Sequence, residues 1–293
     1  MFYDLHVHTT ASDGIKTPEE VILSAIEAGL AGLAITDHDT VNGLETARQF
    51  IQINGLEIDL IPGIELNTDY GDDEVHILGY FIDDGNEQLR NRLSEIRQQR
   101  RLRAEKMIAK LKGMGIQIEF EQVKALARGD LIGRPHIARA LQAKGYVASE
   151  QEAFARYIDR GKPAYIPRYK FSPAEAISLI NLAGGIAVLA HPGLIKEHSK
   201  IYEIIKLGID GLEVCYPEHS QEQILEFSRL AQDNNLLVTG GSDFHGEGST
   251  ESRSHLGCSG VNEETMNQIL EYYKNKKIKI YHLGRIFNPY HRT

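Results

Sequence analysis

The stretch from Phe2 to Asp39, FYDLHVHTTASDGIKTPEEVILSAIEAGLAGLAITDHD, decides the fold class. FYDLHVH is a short run of β-forming residues. TPEEVILSAIEAG returns its apolar residues at helical spacing, and AGLAITDHD is a second strand run. Strand, helix and strand joined by short loops make a parallel βα unit. The helix start is well marked: Thr17 offers a capping hydroxyl, Pro18 suits the first turn, and Glu19 and Glu20 face the positive end of the helix dipole. Gly29 supplies the stop.

The same rhythm continues through VNGLETARQFIQING and IDLIPGIEL, and breaks after VHILGYFID. Residues Asn86 to Lys112 read as one long arginine-rich helix, followed by short helices to about Gly161 with little strand signal. Strand and helix runs then alternate again from SPAEAISLINLAGG to LLVTGGSDFHG. The expectation is a closed or nearly closed barrel of parallel strands over 1–85 and 162–293, interrupted by an inserted helical cap at 86–161.

Composition sets the outer limits. The chain has 293 residues, 42% of them apolar and 25% charged, enough for a substantial core in a soluble globular protein. The N-terminus lacks the basic and apolar regions of a signal peptide, and no apolar run approaches the roughly 20 residues of a membrane span. A cytoplasmic location without a membrane or an obligate protein partner is expected. Two cysteines, Cys215 and Cys258, are too few for a disulfide framework and lack zinc-thiolate spacing, which suggests inert, buried packing. The net charge of -9 argues against a coat for long nucleic acids. Between Arg90 and Arg134, however, twelve basic side chains face five acidic ones, a local block suited either to a solvated helix face or to steering phosphate.

Ligand-type side chains fall at the ends of the strand runs. His6 and His8 end the first, His38 lies past the second, Glu65 ends the third and His76 sits in the fourth. His191 ends IAVLAH, and Asp243 and His245 close LLVTGGSDFH. In parallel α/β folds the carboxyl ends of the strands form the active-site face. A period of two points His6 and His8 to one side, so that both imidazoles can reach one ion. Histidine and carboxylate without thiolate suit Zn, Mn, Fe or Ni, and the number of ligands exceeds the need of one ion. Two or three metals are expected, with Glu65 as the natural bridge. His198, His255, His282 and His291 fit no motif and read as surface residues.

Taken together, DLHVHTTASDG, ITDHDT, PGIE, VHILGY, LAHPG and GSDFH resemble the polymerase and histidinol phosphatase (PHP) family of metal-dependent phosphoesterases. The resemblance implies a distorted (β/α)7 barrel with an inserted cap and three divalent ions, manganese first, with iron or zinc as alternatives. It places one ion on His6, His8, Glu65 and Asp243, a second on Asp13, His38 and His191, and a third on Glu65, His76 and His245. Asp13 enters through the resemblance alone, since an aspartate before glycine is ordinarily a turn former. The cap segments IGRPHIARAL, RGKPAYIP and PRYKFS resemble the branch that removes the 3'-phosphate from nucleoside 3',5'-bisphosphates, which also includes 5'-to-3' exoribonucleases of the RNase AM type. That branch implies that Arg134, Lys162 and Arg168 bind the second phosphate of a small nucleotide or the 5'-phosphate of short RNA.

Such a centre can acidify a bound water and neutralise phosphoryl oxygens, and no motif for a covalent nucleophile is present. Asp37 and Asp39 either orient His38 or cap the helix starting near Thr40. His219 is a candidate proton donor to the leaving group. Plain surface charge is the alternative for Lys162 and Arg168, and helix initiation around Pro135 is the alternative for Arg134 and His136. Two other functions compete: a phosphatase for a small monophosphate such as histidinol phosphate, and a metal-binding module without catalysis.

Overall fold

The computed structural model describes residues 1–127, 131–246 and 255–287, with side chains through Ile278. One eight-stranded sheet curls into a barrel with the strand order β7-β6-β5-β4-β3-β2-β1-β8. Strands β1 (Phe2–Val7), β2 (Gly32–Ile35) and β3 (Asp59–Tyr70) run parallel, as do β5 (Ile186–Leu189), β6 (Gly211–Cys215) and β7 (Leu237–Gly240). Between these two sets β4 (Asp73–Tyr80) is antiparallel to both β3 and β5. The all-parallel expectation is therefore corrected at this strand. Tyr70 pairs with Asp73, leaving a two-residue turn in which Gly71 takes a left-handed φ of 62°. A turn that short can only reverse the chain, because a parallel neighbour needs a crossover of a dozen or more residues.

The barrel closes where the chain beyond β7 meets β1. Val7 bridges Phe244 in parallel, and the His8 amide donates to the Phe244 carbonyl at 2.9 Å. This approach needs a bare backbone: a Cβ on Gly241 would stand 2.3 Å from the His6 Cβ. The short β8 (Val261–Asn262) adds antiparallel to the start of β1.

Helices α1 (Pro18–Glu27), α2 (Asn42–Asn54), α7 (Pro173–Leu182), α8 (Ser199–Ile205) and α9 (Gln221–Asp233) surround the sheet. Thr17 and Glu20 form a reciprocal capping box at the start of α1, as their spacing predicts. Alternation along the strands separates two packed layers: Leu33, Ile35, Ala187 and Leu189 join the helix-facing core. Leu5, Ala34, Leu78, Tyr80 and Val188 pack with Met266 and Ile269 of α10 (Glu263–Phe287).

The inserted segment carries α3 (Glu87–Gly113), α4 (Phe120–Leu126), α5 (Arg134–Ala143) and α6 (Glu150–Ala153), the last continued by a π-helical turn at Phe154–Ile158. Its core is separate from the barrel core and draws Met107, Ile108 and Leu111 from α3, Val123 from α4, and Ile137 and Leu141 from α5. The first half of α3 packs differently, for Leu89, Leu93 and Ile96 belong to the barrel core. Among the described residues no helix is long and apolar enough to cross a membrane.

Candidate metal centre

Most strand ends on one face of the barrel deliver a donor. Glu65 on β3 lies at the middle. Its Oε2 stands 2.8 Å from His38 Nδ1, 3.2 Å from His8 Nε2 and 3.4 Å from His6 Nε2. Its Oε1 stands 2.8 Å from His76 Nδ1 and 3.1 Å from His191 Nε2. His76 reaches this face because β4 is reversed, which puts the early residues of that strand at the same rim as the ends of its neighbours. Asp243 Oδ1 lies 3.2 Å from His8 Nε2, and His245 Nε2 lies 3.3 Å from Asp13 Oδ1.

The loop carrying Asp13 is fixed from two sides. The amide and hydroxyl of Thr9 donate to Asp37 at 2.7 Å each, and the Ser12 hydroxyl donates to it at 2.6 Å. Asp37 therefore braces the loop rather than orienting His38 or capping α2. From the insertion, Arg139 donates to the Asp13 carbonyl at 2.9 Å. Asp39 accepts from the Asn67 amide and from Arg100, while the Asn67 side chain reaches His38 Nδ1 at 2.9 Å. Asp39 thus acts on His38 through Asn67. Glu213 on β6 accepts from His6 Nδ1 at 2.8 Å and from the His191 amide at 2.7 Å, which aims His6 Nε2 at Glu65 and Asp243. Tyr216 donates to Asp243 Oδ2 at 3.0 Å.

Three sets of donor atoms, each within 4.8 Å of one another, emerge: His6, His8, Glu65 and Asp243; His8, Asp13, His38 and His245; and His38, Glu65 and His76. The first set is the one implied by the resemblance. In the second, His245 stands with Asp13 and His38 where the resemblance implies His191, and the third joins His38 to Glu65 and His76; His191 is in none of the three. His245 belongs with Asp13 because its carbonyl accepts from the Ile15 amide, tying it to that loop. His191 ends β5, the neighbour of β4, and so lies against Glu65 on the His76 side, with the His76 and His191 rings 5.0 Å apart.

These residues fit divalent ions. His6 Nε2, both nitrogens of His8, Asp13 Oδ1 and Glu65 Oε2 are buried without a hydrogen bond. Each such atom costs about 1–3 kcal/mol unless something binds it. Cations would satisfy His6 Nε2, one nitrogen of His8 and the two carboxylate oxygens, and the nitrogen and oxygen donor set suits borderline to hard divalent metals. Protons compete for the same atoms. Burial alone would lower the His8 pKa, but the Asp243 and Glu65 carboxylates override it and push it up to about 10. The same opposition, with Glu65 prevailing over burial, takes His76 to about 9. Asp13, Glu65 and Asp243 are drawn well below the carboxylate range, because the surrounding imidazoles outweigh the effect of burial.

Beside the donors stands a group of arginines. Glu74 binds Arg134 NH2 at 2.9 Å through one oxygen and Arg168 through the other, and His76 Nε2 lies 3.2 Å from it. Phe154, on the π-helical turn, lies 5.5 Å below the Arg134 guanidinium. Lys162 is exposed on the following turn, and no bond ties its side chain to Glu74 or to the two arginines. His219, the candidate proton donor, has both ring nitrogens engaged. Its Nδ1 bonds the Val214 carbonyl at 2.9 Å and its Nε2 accepts from the Gly193 amide at 3.1 Å, while burial lowers its pKa. Cys215 is half-buried and Cys258 exposed, so neither is the buried packing expected of it. His198 and His255 are exposed as expected, and the side chains of His282 and His291 lie outside the described residues. The sequence reading overlooked Glu213, Asn67, Glu74 and Tyr216. Glu213 alone had a signal: an acid inside the apolar run GLEVC.

Clustered nitrogen and oxygen donors at the strand ends of an α/β barrel, with arginines at their edge, define a metal-dependent hydrolase of phosphoric esters. The chain belongs to the PHP domain family, whose model matches residues 4–166. It is 36% identical over 250 residues to the 5'-3' exoribonuclease Rnm of Salmonella typhimurium, covering 84% of this chain and 85% of that one. Identity is also 36%, over 251 residues, to the 3',5'-nucleoside bisphosphate phosphatase of Chromobacterium violaceum, covering 84% and 87%. A crystal structure from Bifidobacterium adolescentis, assigned as a metal-dependent phosphoesterase, superposes with a TM-score of 0.82 at 34% identity, covering 92% of this chain and 95% of that one.

Proposed function

We propose that this phosphoric ester hydrolase removes the 3'-phosphate from nucleoside 3',5'-bisphosphates, and that the same geometry shortens short 5'-phosphorylated RNA from its 5' end. The observation that carries the reading is the Glu74 bridge: two mostly buried guanidiniums, Arg134 and Arg168, stand on a carboxylate that also touches His76. An anion-binding pair next to the donor cluster suits a substrate with two phosphates, one held and one cut. The relatives named above act on nucleoside bisphosphates or RNA by name, which supports the same substrate class here.

His6, His8, Asp13, His38, Glu65, His76, His191, Asp243 and His245 would hold three divalent ions, manganese first. Bound ions supply an acidified water and neutralise charge on the phosphoryl group. The remaining work falls to the chain's own groups. Glu213 and Tyr216 keep His6 and Asp243 aimed at the centre, Asn67 holds His38, and Arg134 and Arg168 grip the uncut phosphate. In this reading the inserted segment is a cap that sets how far the grip stands from the ligands.

The test is phosphate release from adenosine 3',5'-bisphosphate by protein loaded with Mn²⁺, with AMP and 3'-AMP separated. AMP is the expected product; 3'-AMP would reverse the assignment of the two phosphates. Arg134→Ala should lower kcat/KM on the bisphosphate about tenfold or more while costing much less on a small monophosphate such as histidinol phosphate. Equal losses on both would favour the monophosphatase reading.

A further inference from the structure

Four guanidiniums gather where α3 and α5 meet the rim, and three of them have acid partners. Arg100 is paired with Asp39, Arg134 with Glu74 and Asp159, and Arg168 with Glu74. Arg103 differs. Its Nε donates to the Ile166 carbonyl at 2.7 Å and the Tyr165 ring lies 5.6 Å away, but among the described residues no carboxylate pairs with it. Half-buried on the second half of α3, it has its charge opposed from several sides: burial, and then Arg134, Arg168 and Arg100, lower its pKa to about 10. An uncompensated guanidinium among three others is unfavourable in the resting protein.

Two further observations show what would relieve it. Arg103 and Arg168 line one narrow cleft with free room of about 20 Å³, together with Asp39, Asn67 and Phe171, and Arg168 NH1 is buried without a hydrogen bond. Asn67 also holds His38, so this cleft adjoins the donor cluster. Arg103 and Arg134 line a second cleft with Gly133. Arg103 and Arg168 therefore border one narrow space. A dianion at its mouth would meet, in Arg103, a guanidinium that has no acid to give up first.

We propose that Arg103 is a further binding residue for the substrate's uncut phosphate, meeting it at the mouth of the cleft while Arg134 and Arg168 close on it from the rim. The proposal rests on the two-phosphate reading given above and adds a specificity-determining residue to it. Glu74 then serves to hold Arg134 and Arg168 in place while the site is empty, and Arg103 supplies the attraction that remains uncommitted.

The test compares Arg103→Met, which keeps most of the apolar stem, with Arg103→Lys, which keeps the charge. kcat/KM is measured on adenosine 3',5'-bisphosphate and on adenosine 3'-monophosphate, and AMP binding to the metal-loaded full chain is measured by calorimetry with adenosine as the blank. Arg103→Met should lose about tenfold or more on the bisphosphate beyond any loss on the monophosphate, chiefly in KM, and should bind AMP correspondingly less well. Arg103→Lys should recover some of both. Equal loss on the two substrates with AMP binding intact would make Arg103 a mere anchor for the Ile166 backbone and overturn the proposal, as would the absence of any loss. If the wild-type protein does not distinguish the two substrates, the two-phosphate reading falls by itself, and the AMP titration then decides for or against Arg103.

Discussion

Glu65 stands within 3.4 Å of ring nitrogens from five histidines, His6, His8, His38, His76 and His191. Without cations this cluster balances its charge with protons, which is why His8 and His76 are pushed up to about 10 and about 9. A raised histidine pKa stabilises the metal-free fold at pH values below the ordinary 6.5, and that contribution is lost as pH rises through 9 to 10. Metal binding must displace those protons, and that of His6, whose pKa the neighbouring carboxylates also raise, so adding Mn²⁺ to metal-free protein in weak buffer at pH 8 should release protons, read with a pH indicator. Affinity for the ion should also fall as the pH is lowered. Metal uptake without proton release would mean that the rings are neutral and that the ion pairs around Glu65 are misassigned. Most of these donors were legible in the sequence because strand ends are local features and the ligands sit on them. The contacts of His191 with Glu65 and of His245 with Asp13 were not, because they depend on which strand lies beside which across the barrel.

At the level of elements, β4 and the β1–β7 seam decide how the rim is built. The reversal of β4 was in principle readable from TDYGDDEVH, where a glycine and an aspartate separate one strand run from the next. It was obscured because β3 continues to Tyr70, well beyond the apparent strand end at Leu66, which hid the turn inside what looked like a loop. Glu213 was hidden for a different reason: one acid in an apolar strand announces itself as an exception without naming its partner. The seam yields a direct prediction. Gly241→Ala would force a Cβ to within 2.3 Å of the His6 Cβ, where both sides are closely held, so one strand must move. The expected cost is about 1–3 kcal/mol of stability together with weakened metal binding, measured by denaturant unfolding and by metal content after dialysis. Unchanged stability would show that the seam is looser than its hydrogen bonds to Phe244 indicate.

Among the described residues, the packed layers of the barrel and the core of the insertion are joined by one helix. Barrel residues Leu89, Leu93 and Ile96 and insertion residues Met107, Ile108 and Leu111 lie on the same α3, so the two packing units are coupled by continuous backbone rather than by a linker. Because β4 runs backwards, the chain leaves Tyr80 at the end of the barrel opposite the donors, where Tyr80 pairs with Ile186 at the start of β5. From there α3 has to climb the full height of the barrel before Arg100 can meet Asp39 at the rim. From Glu87 to Arg100 that climb is about 20 Å at 1.5 Å per residue. The height at which the arginines stand over the donors is thus a matter of helix arithmetic, and α3 works as a calibrated spacer. Inserting one turn of four residues after Gln98 would raise the far half by about 6 Å. In such a variant the preference among substrates should move toward more widely separated phosphates, and the measurement is turnover of a 5'-phosphorylated dinucleotide against that of adenosine 3',5'-bisphosphate. Relatives that differ by a turn at this point would then differ in reach without any change in their ligands.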